Sequence, residues 1–138
     1  MALLLAVLVP PAARAVEAMK ATVYKDPDCG CCTEYVTYLR GQGFNVTAVD
    51  TKELSQIKQK YGVPKSLEGC HTMVVGGYVV EGLVPVTVLK RLLSEKPAIK
   101  GISLPGMPQG SPGMTGRKAE PFKIYELLDG PSKVYAVE

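Results

Sequence analysis

Asp26 to Tyr35 reads DPDCGCCTEY, which puts three thiols, Cys29, Cys31 and Cys32, within four positions directly after a short apolar run. Such a trio admits three chemistries: a redox pair, a structural staple, or a claw for a metal. Cys29 and Cys32 make a CxxC, and a lone CxxC favours redox work. The additional Cys31 argues against a clean dithiol, because a third thiol beside the pair attacks and scrambles a disulfide. Staples are also awkward here. Cys31 and Cys32 are neighbours and Cys29 to Cys31 is a cramped ring, so only pairings to Cys70 look relaxed.

The chain has only four cysteines and one histidine, and the last cysteine stands next to that histidine as Cys70-His71. Further on, LPGMPQGSPGM holds Met107 and Met114 in a Gly/Pro-rich segment with no core for a methionine to fill. Thiolate and thioether together select soft ions, Cu(I) above all, whereas zinc is satisfied by cysteine and histidine alone. Met73 falls within a run of β-formers and reads as core. Asp26, Asp28 and Glu34 read as solvated loop charges.

These residues need a scaffold. Ala21–Lys25 reads as a strand, and a helix follows from about Cys32 to Arg40 with Tyr35, Val36, Tyr38 and Leu39 on its apolar face, stopped by Gly41 and Gly43. The thiols therefore fall where a helix begins, and there unsatisfied N–H groups and the macrodipole favour an anionic sulfur. Phe44–Val49 is a second strand. Asp50 or Thr51 caps the next helix, with Glu53 completing a capping box to Asp50 and Leu54, Ile57 and Tyr61 as its stripe. Cys70–Val75 and Tyr78–Val84 are strands joined by Gly76-Gly77, a hairpin signal. Pro85 opens a helix carrying Val88, Leu89, Leu92 and Leu93. Lys100–Lys118 reads as a long irregular loop, and Phe122–Leu128 with Val134–Val137 as a closing hairpin.

Strand, helix, strand, helix, hairpin, helix is the element order of a thioredoxin-like α/β domain: a central mixed sheet flanked by helices, followed here by the Gly/Pro/Met-rich loop and the C-terminal hairpin. In that arrangement the loop entering the third strand lies beside the CxxC, which brings Cys70 and His71 to the other thiols. Thiol enzymes of this type carry a cis-proline there; the nearest preceding proline in this chain, Pro64, is too far back to serve.

The bulk properties fit one domain, residues 20–138, with a net charge of +3 spread along the chain and no tryptophan. No basic block marks a nucleic-acid surface. Residues 1–15, MALLLAVLVPPAARA, have an apolar run from Ala2 to Val9 and a small-x-small site at Ala13-Arg14-Ala15, as in a secretory signal, although the positive n-region is missing. Beyond them nothing approaches the roughly 18 apolar residues of a membrane span. Export is expected, and outside the cytosol free thiols become oxidised or metal-bound.

Taken in order, DCGCC, GCHTMVVGGYVVEGLVP and LPGMPQGSPGM resemble the motifs of the CopG-like metal-binding proteins of bacterial copper resistance, over roughly Ala21 to Met114. The resemblance implies a thioredoxin-like fold, a periplasmic location and several Cu(I) ions held by clustered cysteines. The matching positions are Cys29, Cys31, Cys32 and Cys70, with His71 after the lone cysteine, and Met107 and Met114 on a loop folded over the thiol corner. Copper ions are the expected ligand, and a copper export or periplasmic copper-handling protein the expected partner. Two other readings stay open: a thiol-disulfide or copper oxidoreductase using the same corner, and a module whose cysteines are stapled and silent.

Overall fold

A computed structural model describes residues 19–138; the signal-like segment 1–15 lies outside them. The strands are β1 (Lys20–Lys25), β2 (Asn45–Asp50), β3 (His71–Val75), β4 (Tyr78–Glu81), β5 (Gly101–Ser103), β6 (Lys123–Glu126) and β7 (Val134–Val137). The helices are α1 (Gly30–Gly41), α2 (Leu54–Lys60) and α3 (Val86–Glu95), with a 3-10 turn at Lys65–Leu67. All seven strands form one sheet in the order β2-β1-β3-β4-β5-β6-β7. β1 is parallel to β2 and antiparallel to β3, β3 is antiparallel to β4, and β4 is parallel to β5.

Alternation along the strands decides which helix covers which face, because successive side chains point to opposite sides. Val23, Met73, Val75, Val80, Ile102 and Ile124 point to the side covered by α1 and α3, where Tyr35, Val36, Leu39, Leu89 and Leu92 complete the main core. Val79, one residue from Val80, points the other way and joins Val63, Leu67 and Leu127 in a smaller cluster beside the 3-10 turn. The hairpin between β3 and β4 turns at Gly76 and Gly77, whose φ values of 54° and 82° supply the left-handed pair that a two-residue connection needs.

Several local expectations shift. α1 starts at Gly30, two residues earlier than Cys32, so Cys29 is its N-cap and the other two thiols lie within its first turn. The capping box at α2 does not form. Glu53 is the N-cap without a side-chain cap, and its N–H donates to Thr51 Oγ1 at 2.9 Å. Nor is the α2 stripe purely apolar: the helix's one buried residue is Lys58. Pro85 is the N-cap of α3 rather than its first residue. Gly101–Ser103, expected within the irregular loop, is strand β5, paired to Val79–Glu81 on one side and to Tyr125 and Glu126 on the other.

Candidate metal centre

Three separate parts of the chain converge at one end of the sheet. The loop after β1 delivers Cys29 as the N-cap of α1, and the helix's first turn carries Cys31 and Cys32. The turn entering β3 delivers Cys70 and His71, and the loop after β5 delivers Met107. The four cysteine sulfurs all lie within 4.8 Å of one another. Cys31 Sγ is central: it is 3.4 Å from Cys29 Sγ, 3.8 Å from Cys70 Sγ and 3.5 Å from Met107 Sδ.

Cys29 and Cys32 are joined by a disulfide, with Cα atoms 5.4 Å apart, while Cys31 and Cys70 are free. This differs from the expectation that only Cys70 offers a relaxed partner. The N-cap and third helical position face each other across one turn, within the Cα spacing a disulfide needs. In this state two sulfurs are tied to each other, and Cys31, Cys70 and Met107 offer the free lone pairs.

The environment of Cys70 is largely apolar. Burial, followed by the charge and hydrogen bond of Cys31, pushes its thiol up to about 12, with Lys58 opposing more weakly. The proton therefore stays until a cation displaces it, and metal uptake here releases a proton. His71 is fully buried, its ring stacked on Tyr35 with centroids 4.9 Å apart. Burial and the nearby Lys58 charge push its pKa down to about 3, against a weaker pull from the Gly82 backbone, so the imidazole is neutral. Its Nδ1 lies 3.5 Å from Cys70 Sγ, and its buried Nε2 has no hydrogen-bond partner among the described residues.

The methionines divide. Met107 is half exposed and its sulfur reaches the thiols, whereas Met114 packs its side chain against the main core. Among the described residues, no sulfur contact to the four thiols is made by Met114. Its segment nevertheless holds the loop down. The neighbouring Gly113 has φ +94°, and a Cβ there would stand 2.5 Å from the Cys31 carbonyl oxygen. Only glycine permits so close an approach at that φ. The buried Ser111 donates its hydroxyl to Pro108 O at 2.6 Å, and Met114 N–H donates to Ser111 O at 2.9 Å, so the irregular loop is a chain of pinned turns.

Asp26 and Asp28 stay outside the cluster. Both pair with the exposed Lys52, at 3.0 and 2.6 Å, and Asp26 Oδ1 accepts the Asp28 N–H at 2.8 Å. That turn shapes the approach to Cys29 without offering a carboxylate to the sulfurs. Lys58 and Glu81, which pattern reading passed over, form a buried ion pair at 2.6 Å behind Cys70. A signal was available for Glu81, a single charge after the apolar YVV, but not for Lys58, which lies in the polar stretch SQIKQK.

The donor set is mainly soft, thiols and a thioether with a borderline neutral imidazole beside Cys70, and among the described residues no carboxylate joins the cluster. That set suits a soft cation over a hard one. A family model described as a protein of unknown function, DUF411, matches residues 67–114, the span from the Cys70 turn to Met114. Two solved structures, named copper resistance protein copG, Form 1 and Form 2, match with TM-scores of 0.79 and 0.77. Each is 36% identical; they cover 88% and 86% of this chain, which in turn covers 98% and 97% of theirs. The chain belongs to the CopG family. No curated protein sequence matches it. The chain thus combines a similarity to CopG over 86% of its length with a four-cysteine cluster able to hold a metal.

Proposed function

We propose that this protein holds Cu(I), more than one ion when fully reduced, in the corner formed by Cys29, Cys31, Cys32 and Cys70, as part of copper resistance or copper handling outside the cytoplasm. The observation that carries the reading is the convergence of four cysteine sulfurs within 4.8 Å, with the Met107 thioether 3.5 Å from Cys31. Anionic sulfur bridges soft cations, so four thiolates so close together have capacity beyond a single ion. Met107, half exposed, supplies a neutral sulfur at the mouth, and His71 supports Cys70 from behind. Met114 serves the site by seating the loop. The β2-β1-β3-β4 half of the sheet, with α1 and its CxxC, supports a thioredoxin-like ancestry for the scaffold. The apolar segment Ala2–Val9 and the small-x-small site after it support export, and the periplasm is the proposed location, with a copper export or handling protein as the recipient.

Anaerobic titration of the reduced chain with Cu(I), against a chromophoric chelator and with elemental analysis, tests this. More than one copper is expected per chain, and conversion of Cys29, Cys31, Cys32 and Cys70 to serine is expected to abolish retention. Stable binding of one zinc ion with no copper preference would sink the proposal.

The Cys29–Cys32 disulfide favours a second reading, an oxidoreductase in which a substrate dithiol is oxidised as that disulfide is reduced, two electrons and two protons passing to Cys29 and Cys32. Cys31→Ser separates the two readings. A working CxxC keeps its dithiol turnover in that variant, whereas a copper cluster loses its central sulfur.

A further inference from the structure

Cys70 lies outside the β3 ladder, which begins at His71, and the 3-10 turn ends three residues earlier at Leu67. Secondary structure therefore leaves the position of the fourth sulfur open. What holds it is a buried polar unit on the far side of the turn. Glu81 Oε2 accepts the Gly69 N–H at 2.8 Å and the Lys58 ammonium at 2.6 Å. Lys58 Nζ also donates to the His71 carbonyl at 3.3 Å and to Thr72 Oγ1 at 3.1 Å, and the Thr72 hydroxyl donates to the second Glu81 oxygen. The peptide groups on either side of Cys70, Gly69 N–H and His71 C=O, thus end on one ion pair.

We propose that Lys58 and Glu81 are positioning residues of the thiol site: a clamp, carried on α2 and β4, that fixes Cys70 against Cys31 and against the loop bearing Met107. Its purpose rests on the copper-holding reading, while its geometry does not.

Two further observations support the clamp. Lys58 is 5% exposed and Glu81 is not exposed at all, so both charges have been taken fully out of water. Replacing a buried ion pair by an apolar pair of similar volume is often neutral or stabilising, and in several systems what the pair adds is direction and register. The end of β4 also registers the methionine loop. Glu81 O accepts the Leu104 N–H at 3.0 Å, and the adjoining Gly82 approaches Leu104 so closely that a Cβ on it would lie 2.1 Å from Leu104 O. On its other side, a Cβ on Gly69 would lie 2.5 Å from Gly82 N. Gly69, Gly82 and Leu104 are therefore stacked backbone to backbone, and one strand end sets Cys70 and the root of the Met107 loop together.

The test compares wild type with the double variant Lys58→Met/Glu81→Leu, which replaces the pair by apolar side chains, and with Ile124→Ala, a core truncation in β6. In the metal-free chain with the Cys29–Cys32 disulfide intact, the alkylation rates of Cys70 and Cys31 are measured by peptide mass spectrometry. The reduced chains are then titrated with Cu(I) against the chelator. The double variant is expected to raise the Cys70-to-Cys31 rate ratio by about tenfold, the scale of one lost charge-assisted hydrogen bond, and to lose Cu(I) affinity by a similar factor. Ile124→Ala, destabilised in the core but with the Lys58–Glu81 clamp intact, keeps both at wild-type values. Either value unchanged in the folded double variant overturns the proposal, as does an equal change in Ile124→Ala. If the double variant does not fold, Glu81→Gln takes its place, since the amide keeps the shape but removes the charge and turns one of the two acceptor oxygens into a donor. Wild type that binds no Cu(I) removes the copper reading, and the clamp then stands or falls on the alkylation ratio alone.

Discussion

His71 is sealed beneath Tyr35 with Nδ1 3.5 Å from the Cys70 sulfur, and its pKa is pushed down to about 3 by burial and by Lys58. An ordinary histidine, as in the unfolded chain, takes up its proton near pH 6.5. The folded state refuses that proton down to about pH 3, so the unfolded state binds more protons throughout the window between. The stability associated with a neutral His71 is therefore complete above pH 6.5 and is lost as pH falls toward 3, at a limiting slope of about 1.4 kcal/mol per pH unit. In the metal-free protein, His71→Asn is expected to flatten the fall in unfolding free energy between pH 6.5 and 4.5. Denaturant melts of both proteins across that range measure it, with the carboxylate contributions common to the two. Identical slopes would mean that the buried ring accepts a proton while folded. The same residue shows what a sequence conveys at this scale. Its adjacency to Cys70 marked it as part of the site, but only the three-dimensional surroundings make it a neutral base whose Nε2 has no partner among the described residues.

The methionine loop is the element on which composition was most informative and periodicity least. Its glycines and prolines identified a loop, and its methionines the soft-donor chemistry. Neither distinguished Met107, whose sulfur reaches Cys31, from Met114, which anchors the loop on the core. That difference arises from the seat at Gly113, whose φ of +94° and contact with the Cys31 carbonyl bring the loop down onto the first turn of α1. Gly113→Ala introduces a Cβ 2.5 Å from that carbonyl, so the loop must lift. Left-handed strain at a non-glycine residue costs about 1–3 kcal/mol, so Cu(I) retention by the reduced chain should fall on the order of tenfold while the sheet still folds. Competition with the chelator, together with a thermal melt of the metal-free variant, measures both quantities. Wild-type retention in a folded Gly113→Ala chain would leave the loop no part in holding the ion. Other elements were legible for plainer reasons. α1 and α3 carry strong apolar faces, and the Gly76-Gly77 turn fixed the β3–β4 hairpin. β5 was not legible, because three residues, Gly101–Ser103, are too few to show alternation and become a strand only by lying between β4 and β6. Lys58 was hidden for the opposite reason: a charge on a helix reads as its wet face until a partner such as Glu81 is seen beneath it.

Across the whole molecule the sulfurs belong to segments separated by most of the fold: the start of α1, the entry to β3 and the loop after β5. An ion held by all of them crosslinks both halves of the sheet, so binding and folding are thermodynamically linked. A ligand present at about 100 times its Kd stabilises the folded state by roughly 2.7 kcal/mol, and for a chain of this size that corresponds to a rise in Tm of roughly 10 °C. Redox state sets how much of that linkage is available. With Cys29 bound to Cys32, only Cys31, Cys70 and the Met107 thioether remain to hold an ion, whereas reduction frees two more thiols at the N-terminus of α1. The reduced chain should therefore show the full copper-dependent rise, and the oxidised chain a clearly smaller one at the same free Cu(I). Anaerobic thermal scans of both forms, at copper concentrations buffered by the chelator, make the comparison. The disulfide state is confirmed by alkylation before and after each scan, since Cu(I) and thiols together can reduce or reshuffle it. Equal shifts in the two forms would show that Cys29 and Cys32 contribute nothing to the ion. Copper would then be held by the central pair and Met107 alone, and the CxxC would be left to the dithiol chemistry of the second reading.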